Sequence, residues 1–263
     1  IAVVVALVGA ACSSDSDDSS NDSSASDETT STTAGSDDIE ILVTNDDGVG
    51  APGIDALVQA LTELEGVTVT VEAPAENQSG TADKTTGGEL VHGDSETESG
   101  YPAVAVEGFP ADSVVVALDD LGIMPDIVIS GINEGQNIGP LADISGTVGA
   151  AKTAARAGYP ALATSQGVVQ DDAVEADYAT GVNFVIDWFE ENRELIASGD
   201  APVEVVSINI PTCEVGAVRG LLEVPLSTDA TGDELTTVDC TSTLENPDDD
   251  VSGFANGFVV LTP

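Results

Sequence analysis

Positive charge is what this chain lacks most. Lys and Arg number 5 against 48 Asp and Glu, and with one histidine, His92, the formal charge is −43. Proteins that grip a nucleic-acid backbone neutralise its phosphates with cations. That class is excluded, so no nucleic-acid polymer is expected as a partner. Docking on anionic lipid by a polybasic patch is disfavoured on the same ground. Any phosphate handled here must be met by backbone N–H groups, hydroxyls, amides or a metal. The apolar run at the N-terminus, Ile1 to Ala11, is too short to cross a bilayer. No internal repeat is visible. What the chain does have is 41% hydrophobic residues in 263. That suffices for one large α/β domain with appendages.

The opening IAVVVALVGAAC reads as a secretory signal h-region over residues 1–11, with no positive segment before it, so the sequence is expected to be a fragment. Gly9-Ala10-Ala11-Cys12 resembles a bacterial lipoprotein cleavage box, with Gly9 where a Leu usually sits. Cys12 would then carry the lipid. The alternative is an ordinary cleaved signal with an incidental Cys. Ser13 to Asp38 is Ser, Thr and Asp with hardly an apolar residue, so residues 12–38 read as a disordered tether. The expectation is an exported protein, at the cell surface or the periplasmic side of the bacterial cytoplasmic membrane, touching the membrane only through Cys12. Export also permits a disulfide between Cys213 and Cys240, the alternative being two buried thiols.

Residues 39–263 read as the folded part. Ile39–Thr44 is a short apolar strand, Gly53–Leu64 has helical spacing, and Val67–Ala73 is a β-branched strand. Pro74 to about Gly100 is polar and glycine-rich, so a loop. Ala103–Glu107 (strand), Ala111–Leu121 (helix), Asp126–Ser130 (strand), Gly146–Ala157 (helix) and Ala161–Ser165 (strand) follow. Then come a long helix, Ala173–Ile196, a strand, Val203–Ile210, and short β segments ending in Gly257–Thr262. The expected fold class is α/β, a Rossmann-like doubly wound, mostly parallel sheet with a β-rich C-terminal extension. Ligands in such sheets bind at the carboxyl ends of the strands. Those ends carry Asn45-Asp46-Asp47, Gln78-Ser79-Gly80 and Gly131-Ile132-Asn133.

Gly48 to Gly53 spells G-x-G-x-x-G between a strand and a helix, and Glu72 ends the next strand. A dinucleotide fingerprint has that form. Asn45, Asp46 and Asp47 intervene before the first glycine, however, where two carboxylates would repel a pyrophosphate. Pro52 also removes a donor at the helix start. Asp46 and Asp47 either cap the turn and stay solvated or hold a divalent cation. A hard cation such as Mg²⁺ or Mn²⁺ takes carboxylate, amide and hydroxyl oxygens, and Ser79 and Asn133 supply the last two types. Asn137 and Ser145-Gly146-Thr147 precede an alanine-rich helix. They form either a plain N-cap or an anion cradle, to which Lys152 could add charge. A metal beside an anion cradle points to metal-assisted phosphoryl hydrolysis.

These residues resemble a known family. Ile41 to Gly48 with Ala51-Pro52-Gly53-Ile54, and Ala73-Pro74 through Gln78-Ser79-Gly80, look like the first two motifs of the SurE (survival protein E) nucleotidases. Pro110-Ala111-Asp112-Ser113, Pro125 through Asn133 with Gly135 through Gly139, Ser145-Gly146-Thr147-Val148 and Gly158 through Ala163 resemble later blocks. The resemblance implies a 5′/3′-nucleotidase, a metal-dependent phosphomonoesterase acting on nucleoside monophosphates. It implies Asp46 and Asp47 as catalytic residues and one divalent metal per subunit, Mg²⁺ or Mn²⁺, on Asp46, Asp47, Ser79 and Asn133. It puts the substrate phosphate on Asn137, Ser145, Gly146 and Thr147, and implies a homodimer or homotetramer.

The chain also departs from the family pattern. A helix-borne Glu of many relatives is Thr153, and a Tyr that often precedes Ser-Gly-Thr is Ile144. The family's terminal helix, which in some relatives carries an Asp and a His of the site, would follow Pro263. These departures keep a second reading in view, a binding lipoprotein with weak or no turnover. His92 reads as an exposed bystander.

Overall fold

The computed structural model describes residues 38–168 and 176–263. The signal-like run, Cys12 and nearly all of the tether lie outside the described residues. The folded unit spans Ser36–Pro263.

Its frame is a nine-stranded sheet in the order β3-β4-β2-β1-β5-β6-β7-β9-β8. The strands are β1 (Ile39–Thr44), β2 (Val67–Pro74), β3 (His92–Glu96), β4 (Pro102–Val106), β5 (Ile127–Glu134), β6 (Ala161–Gln166), β7 (Val205–Ile210), β8 (Arg219–Glu223) and β9 (Phe258–Thr262). All neighbours run parallel except the β3–β4 and β7–β9 pairs. Among the described residues five α-helices accompany it: α1 (Pro52–Thr62), α2 (Pro110–Val115), α3 (Gly146–Arg156), α4 (Tyr178–Ser198) and α5 (Asp250–Ala255). Helices α1 and α4 bury Ile54, Leu57, Val58, Val185 and Phe189 against the Ile39, Ile41 and Val43 side of β1. On the other face Val114, Val148, Ala151 and Ala154 pack against Leu42 and Val128. Both faces are covered, as a parallel sheet requires.

Local chemistry sets the helix starts that matter. Pro52 opens α1, where its missing N–H costs nothing. Ser145 caps α3, its hydroxyl accepting from Val148 N–H at 3.1 Å. Asp177 caps α4 by accepting from Thr180 N–H at 3.1 Å.

Several sequence expectations are corrected. The 74–100 stretch is not all loop, because His92–Glu96 forms edge strand β3. Its sequence HGDSE is polar because one edge of the strand is unpaired and most of its residues are exposed. The Ala111–Leu121 helix divides into α2 and a π-helical turn over Val116–Asp120. Strand β5 runs on to Glu134, past a register shift between Ser130 and Asn133. The β-rich end also contains helix α5, which buries Val251 and Phe254 with Ile138, Phe258 and Val260 in a separate small core. Helix α4 is described from Tyr178 only, the first part of the expected helix lying outside the described residues.

Candidate functional site

The site forms where β1, β2, β5 and the start of α3 meet. Beyond Thr44, Asn45 makes a closed turn: its amide donates to Gly48 C=O at 2.8 Å and its Oδ1 accepts from Gly48 N–H at 3.2 Å. Gly48 takes φ +105°, and Val49 N–H is anchored on Pro74 C=O at 2.8 Å. Glycines of this segment therefore serve a tight turn and close packing. A Cβ on Gly53 would stand 1.9 Å from Ile132 O. Glu72 is 1% exposed within the sheet, too deep to meet a ribose at the rim. The dinucleotide spelling thus has a packing explanation.

The turn projects Asp46 and Asp47. Asp46 is 2% exposed, and its Oδ1 accepts from Thr147 Oγ1 at 2.6 Å. Burial raises the Asp46 carboxyl, opposed by the Thr147 hydroxyl and by the backbone N–H groups of Thr147 and Gly146. The positive end of α3 is therefore aimed at this carboxylate. Gly146 is required there: an added Cβ would lie 2.7 Å from Asp46 Cβ and 2.8 Å from its Oδ2. Asp47 accepts from Glu134 N–H at 2.8 Å and from Asn77 Nδ2 at 3.0 Å. Burial pushes Asp47 up to about 6, with the Asp46 and Glu134 charges adding to the rise while the two hydrogen bonds oppose it. No ion pair among the described residues involves Asp46 or Asp47.

The other expected donors sit on the same rim. Ser79 is exposed on a loop tied to both acids: Gln78 N–H donates to Asp46 C=O at 2.7 Å, and Ser79 N–H donates to the Oδ1 of Asn77 at 3.0 Å. Asn133 donates its amide nitrogen to Gly135 C=O at 2.5 Å, which leaves its Oδ1 to serve as a metal ligand. Among the described residues no three His, Cys, Asp or Glu side chains gather into a metal cluster. Two carboxylates with a hydroxyl and an amide oxygen still fit a hard divalent cation. The adjacent, partly desolvated acids without a cationic neighbour are the observation in favour.

Among the residues expected to hold phosphate, a hydrogen-bond chain runs from Ser165 and Thr147 to Asn137. The Asn137 amide donates to Ser165 Oγ at 2.9 Å and to Thr147 Oγ1 at 3.3 Å. Asn137 N–H is held by Asn209 Oδ1 at 2.7 Å. Ser145 acts as the helix cap, so its hydroxyl is engaged, as is that of Thr147. Lys152 does not join them; its Nζ faces Asp143 at 3.9 Å. His92 is exposed on the edge strand. Thr153 donates its hydroxyl to Gly149 C=O at 2.9 Å, and Ile144 is 56% exposed. Cys213 and Cys240 form a disulfide, Cα–Cα 5.8 Å.

Sequence reading missed Asn77, Glu134, Ser165 and Asn209, which orient the donors. Their positions at strand ends and in the second loop were legible, their partners were not. It also missed Tyr178 at the start of α4, whose hydroxyl bonds Glu134 and is pushed above its usual range by burial and by the Glu134 and Asp47 charges.

Fold and site together define a Rossmann-like α/β protein with an oxygen-donor cluster at the carboxyl ends of its parallel strands, facing a helix N-terminus. The family model described as Survival protein SurE matches residues 41–232. A protein of Halobacterium salinarum named 5′-nucleotidase SurE is 46% identical over 153 residues, 56% of this chain and 56% of that protein. The 5′-nucleotidase SurE 1 of Burkholderia lata is 40% identical over 185 residues, 69% of this chain and 67% of that protein. The crystal structure of the Aquifex aeolicus SurE protein superposes with TM-score 0.68 at 26% identity, covering 85% of this chain and 92% of that one. The chain belongs to the SurE family. Its match spans little more than half the length of the halobacterial relative.

Proposed function

We propose that the chain is a metal-dependent phosphomonoesterase hydrolysing nucleoside 5′- and 3′-monophosphates to nucleoside and phosphate. The observation that carries this reading is the adjacent Asp46–Asp47 pair, with buried Asp46 facing the N-terminus of α3 and Thr147 bonding both Asp46 and Asn137. Asp46, Asp47, Ser79 and Asn133 would hold one Mg²⁺ or Mn²⁺. When bound, that ion supplies Lewis-acid charge to the phosphoryl group.

The rest of the work falls to the chain. Thr147 fixes the Asp46 carboxylate in one orientation, and Glu134 N–H with Asn77 does so for Asp47. Asn137, Ser145, Gly146 and Thr147 hold the substrate phosphate through amide, hydroxyl and helix N-terminal N–H groups, which favour negative charge. Within the protein the Asn137 amide bonds Ser165 and Thr147, and the Thr147 hydroxyl with the Gly146 and Thr147 N–H groups bonds Asp46, so a bound phosphate would take these donors over from those partners. With so few cations in the chain, holding the phosphate falls to these neutral donors.

Export as a lipoprotein anchored at Cys12, with residues 12–38 as spacer, is part of the same proposal. The N-terminal composition supports it, and a disulfide suits an oxidising compartment. A homodimer or homotetramer is proposed from the family alone. The test is phosphate release from 5′-AMP and 3′-AMP with Mn²⁺ and with EDTA, at low and high salt. Metal-dependent release that D47N abolishes, in a sample with unchanged circular dichroism, is expected. No release from folded protein would leave the binding lipoprotein as the reading.

A further inference from the structure

Four buried polar atoms lack a hydrogen-bond partner on one face of the sheet, directly behind the site. They are Thr44 Oγ1, Glu72 Oε2, Ser113 Oγ and Ser130 Oγ, unpartnered among the described residues. Glu72 is 1% exposed and the other three are 0% exposed. Side chains alternate across a strand. Leu42 and Val128 belong to the core beneath α2 and α3, so Thr44 and Ser130 share that face. Val71 and Ala73 belong to the opposite core, which puts Glu72 on the α2 side as well. Thr44 is in register with Ser130 across β1 and β5. Glu72 stands one step beyond the Val43–Val71 pair, beside Thr44. Helix α2 packs over β2 and β1. Within it Ser113 lies one turn before Ala117, a residue of that same core.

The same three strands carry the donors of the site. Thr44 precedes Asp46 by two residues, Ser130 precedes Asn133 by three, and β2 leads into the Ser79 loop. We infer that Glu72 is a positioning residue, joined through ordered water to the hydroxyls of Thr44, Ser113 and Ser130. This hydrated shelf locks the ends of β1, β2 and β5 and so sets the spacing of Asp46, Asp47 and Asn133. Buried polar groups need partners, and a water between such groups requires two to four of them. Hydroxyls both donate and accept, and a neutral carboxyl does too. An ionised Glu72 would instead bury a charge that no described ion pair compensates. Among the described residues no shelf atom bonds a ligand directly; the shelf acts through the strand ends, and its loss is expected to cost about tenfold, the low end of the 10- to 100-fold range for partners that do bond metal ligands.

The inference rests on the metal-donor reading above, and its test separates the two. Mn²⁺ affinity of the full chain is measured by calorimetry for wild type, E72Q, E72M and the fourfold variant T44V/E72M/S113A/S130A. Metal-free circular dichroism checks the fold. E72Q keeps donor and acceptor and is expected to bind Mn²⁺ within about twofold of wild type. E72M and the fourfold variant are expected to bind about tenfold more weakly or worse. Wild-type affinity in a folded fourfold variant overturns the inference; if that variant does not fold, wild-type affinity in E72M does. A wild-type crystal structure at high resolution is expected to show water touching Glu72 and at least one of the hydroxyls, and a dry layer refutes it. Failure of wild type to bind Mn²⁺ would sink the metal-donor reading instead, and the crystal structure would then decide for or against the shelf.

Discussion

Replacing Thr147 by valine removes a single hydroxyl from a fully buried position while keeping its shape. That hydroxyl donates to Asp46 Oδ1 at 2.6 Å and accepts from the Asn137 amide at 3.3 Å. A hydrogen bond to a charged group contributes about 1.5–3 kcal/mol, which corresponds to roughly a 10- to 150-fold change. The backbone N–H groups of Gly146 and Thr147 still face Asp46 in the variant. They place the expected loss near the lower end, about 10- to 30-fold in kcat/KM. The assay is phosphate release from 5′-AMP at saturating Mn²⁺, with metal-free melting to check the fold. T147S returns the hydroxyl and is expected to recover most of the activity. A T147V enzyme within twofold of wild type, or a T147S enzyme as slow as T147V, would refute the bridge between the carboxylate and phosphate sides.

Gly146→Ala adds a Cβ 2.7 Å from that of Asp46; the carboxylate must move, so activity is expected to fall about 100-fold or more with helical circular dichroism retained. Glu72 gives a pH signature in EDTA. Burial lifts its carboxyl from 4.5 to about 7. The native state thus keeps a proton that the unfolded state releases between those values. Its stabilising contribution is full below about 4.5 and fades as pH rises to about 7, by about 1.4 kcal/mol per pH unit. Wild type is therefore expected to lose stability relative to E72Q across that window in denaturant titrations; a flat difference would contradict it. Opening the 27-residue Cys213–Cys240 loop by C213S/C240S should cost about 3.5 kcal/mol, seen as a lower urea midpoint under oxidising conditions. With a formal charge of −43, the melting temperature is expected to rise with NaCl as surface repulsion is screened; a salt-independent melt would show the acids to be evenly solvated.

Much of this was legible before any coordinates. Short apolar runs such as Ile41–Val43 and Ile127–Ile129, alternating with helical periods, identify a parallel sheet because a strand buried on both faces is mostly apolar. Polar residues at the ends of those runs mark the ligand rim, since that is where the apolar requirement stops. Edge strand β3 was not legible, because a strand mostly exposed to water carries no apolar pattern. Helix α5 was hidden because six residues are too few to show a helical period, and one of the partners of Val251 and Phe254, Ile138, is distant in sequence.

By itself the sequence determined the fold class, the family motifs, the absence of cationic phosphate clamps and the set of oxygen donors at the rim. These rest on composition and local periodicity, which need no long-range contact. Only the tertiary structure decided how Asp46 is held by Thr147, 101 positions away, and Asp47 by Glu134, 87 away. It also turned Lys152 toward Asp143 and buried Glu72 on the α2 face of the sheet. Hydrogen bonds and burial of this kind depend on which distant segments the register brings together. The chain's order of residues does not display that register.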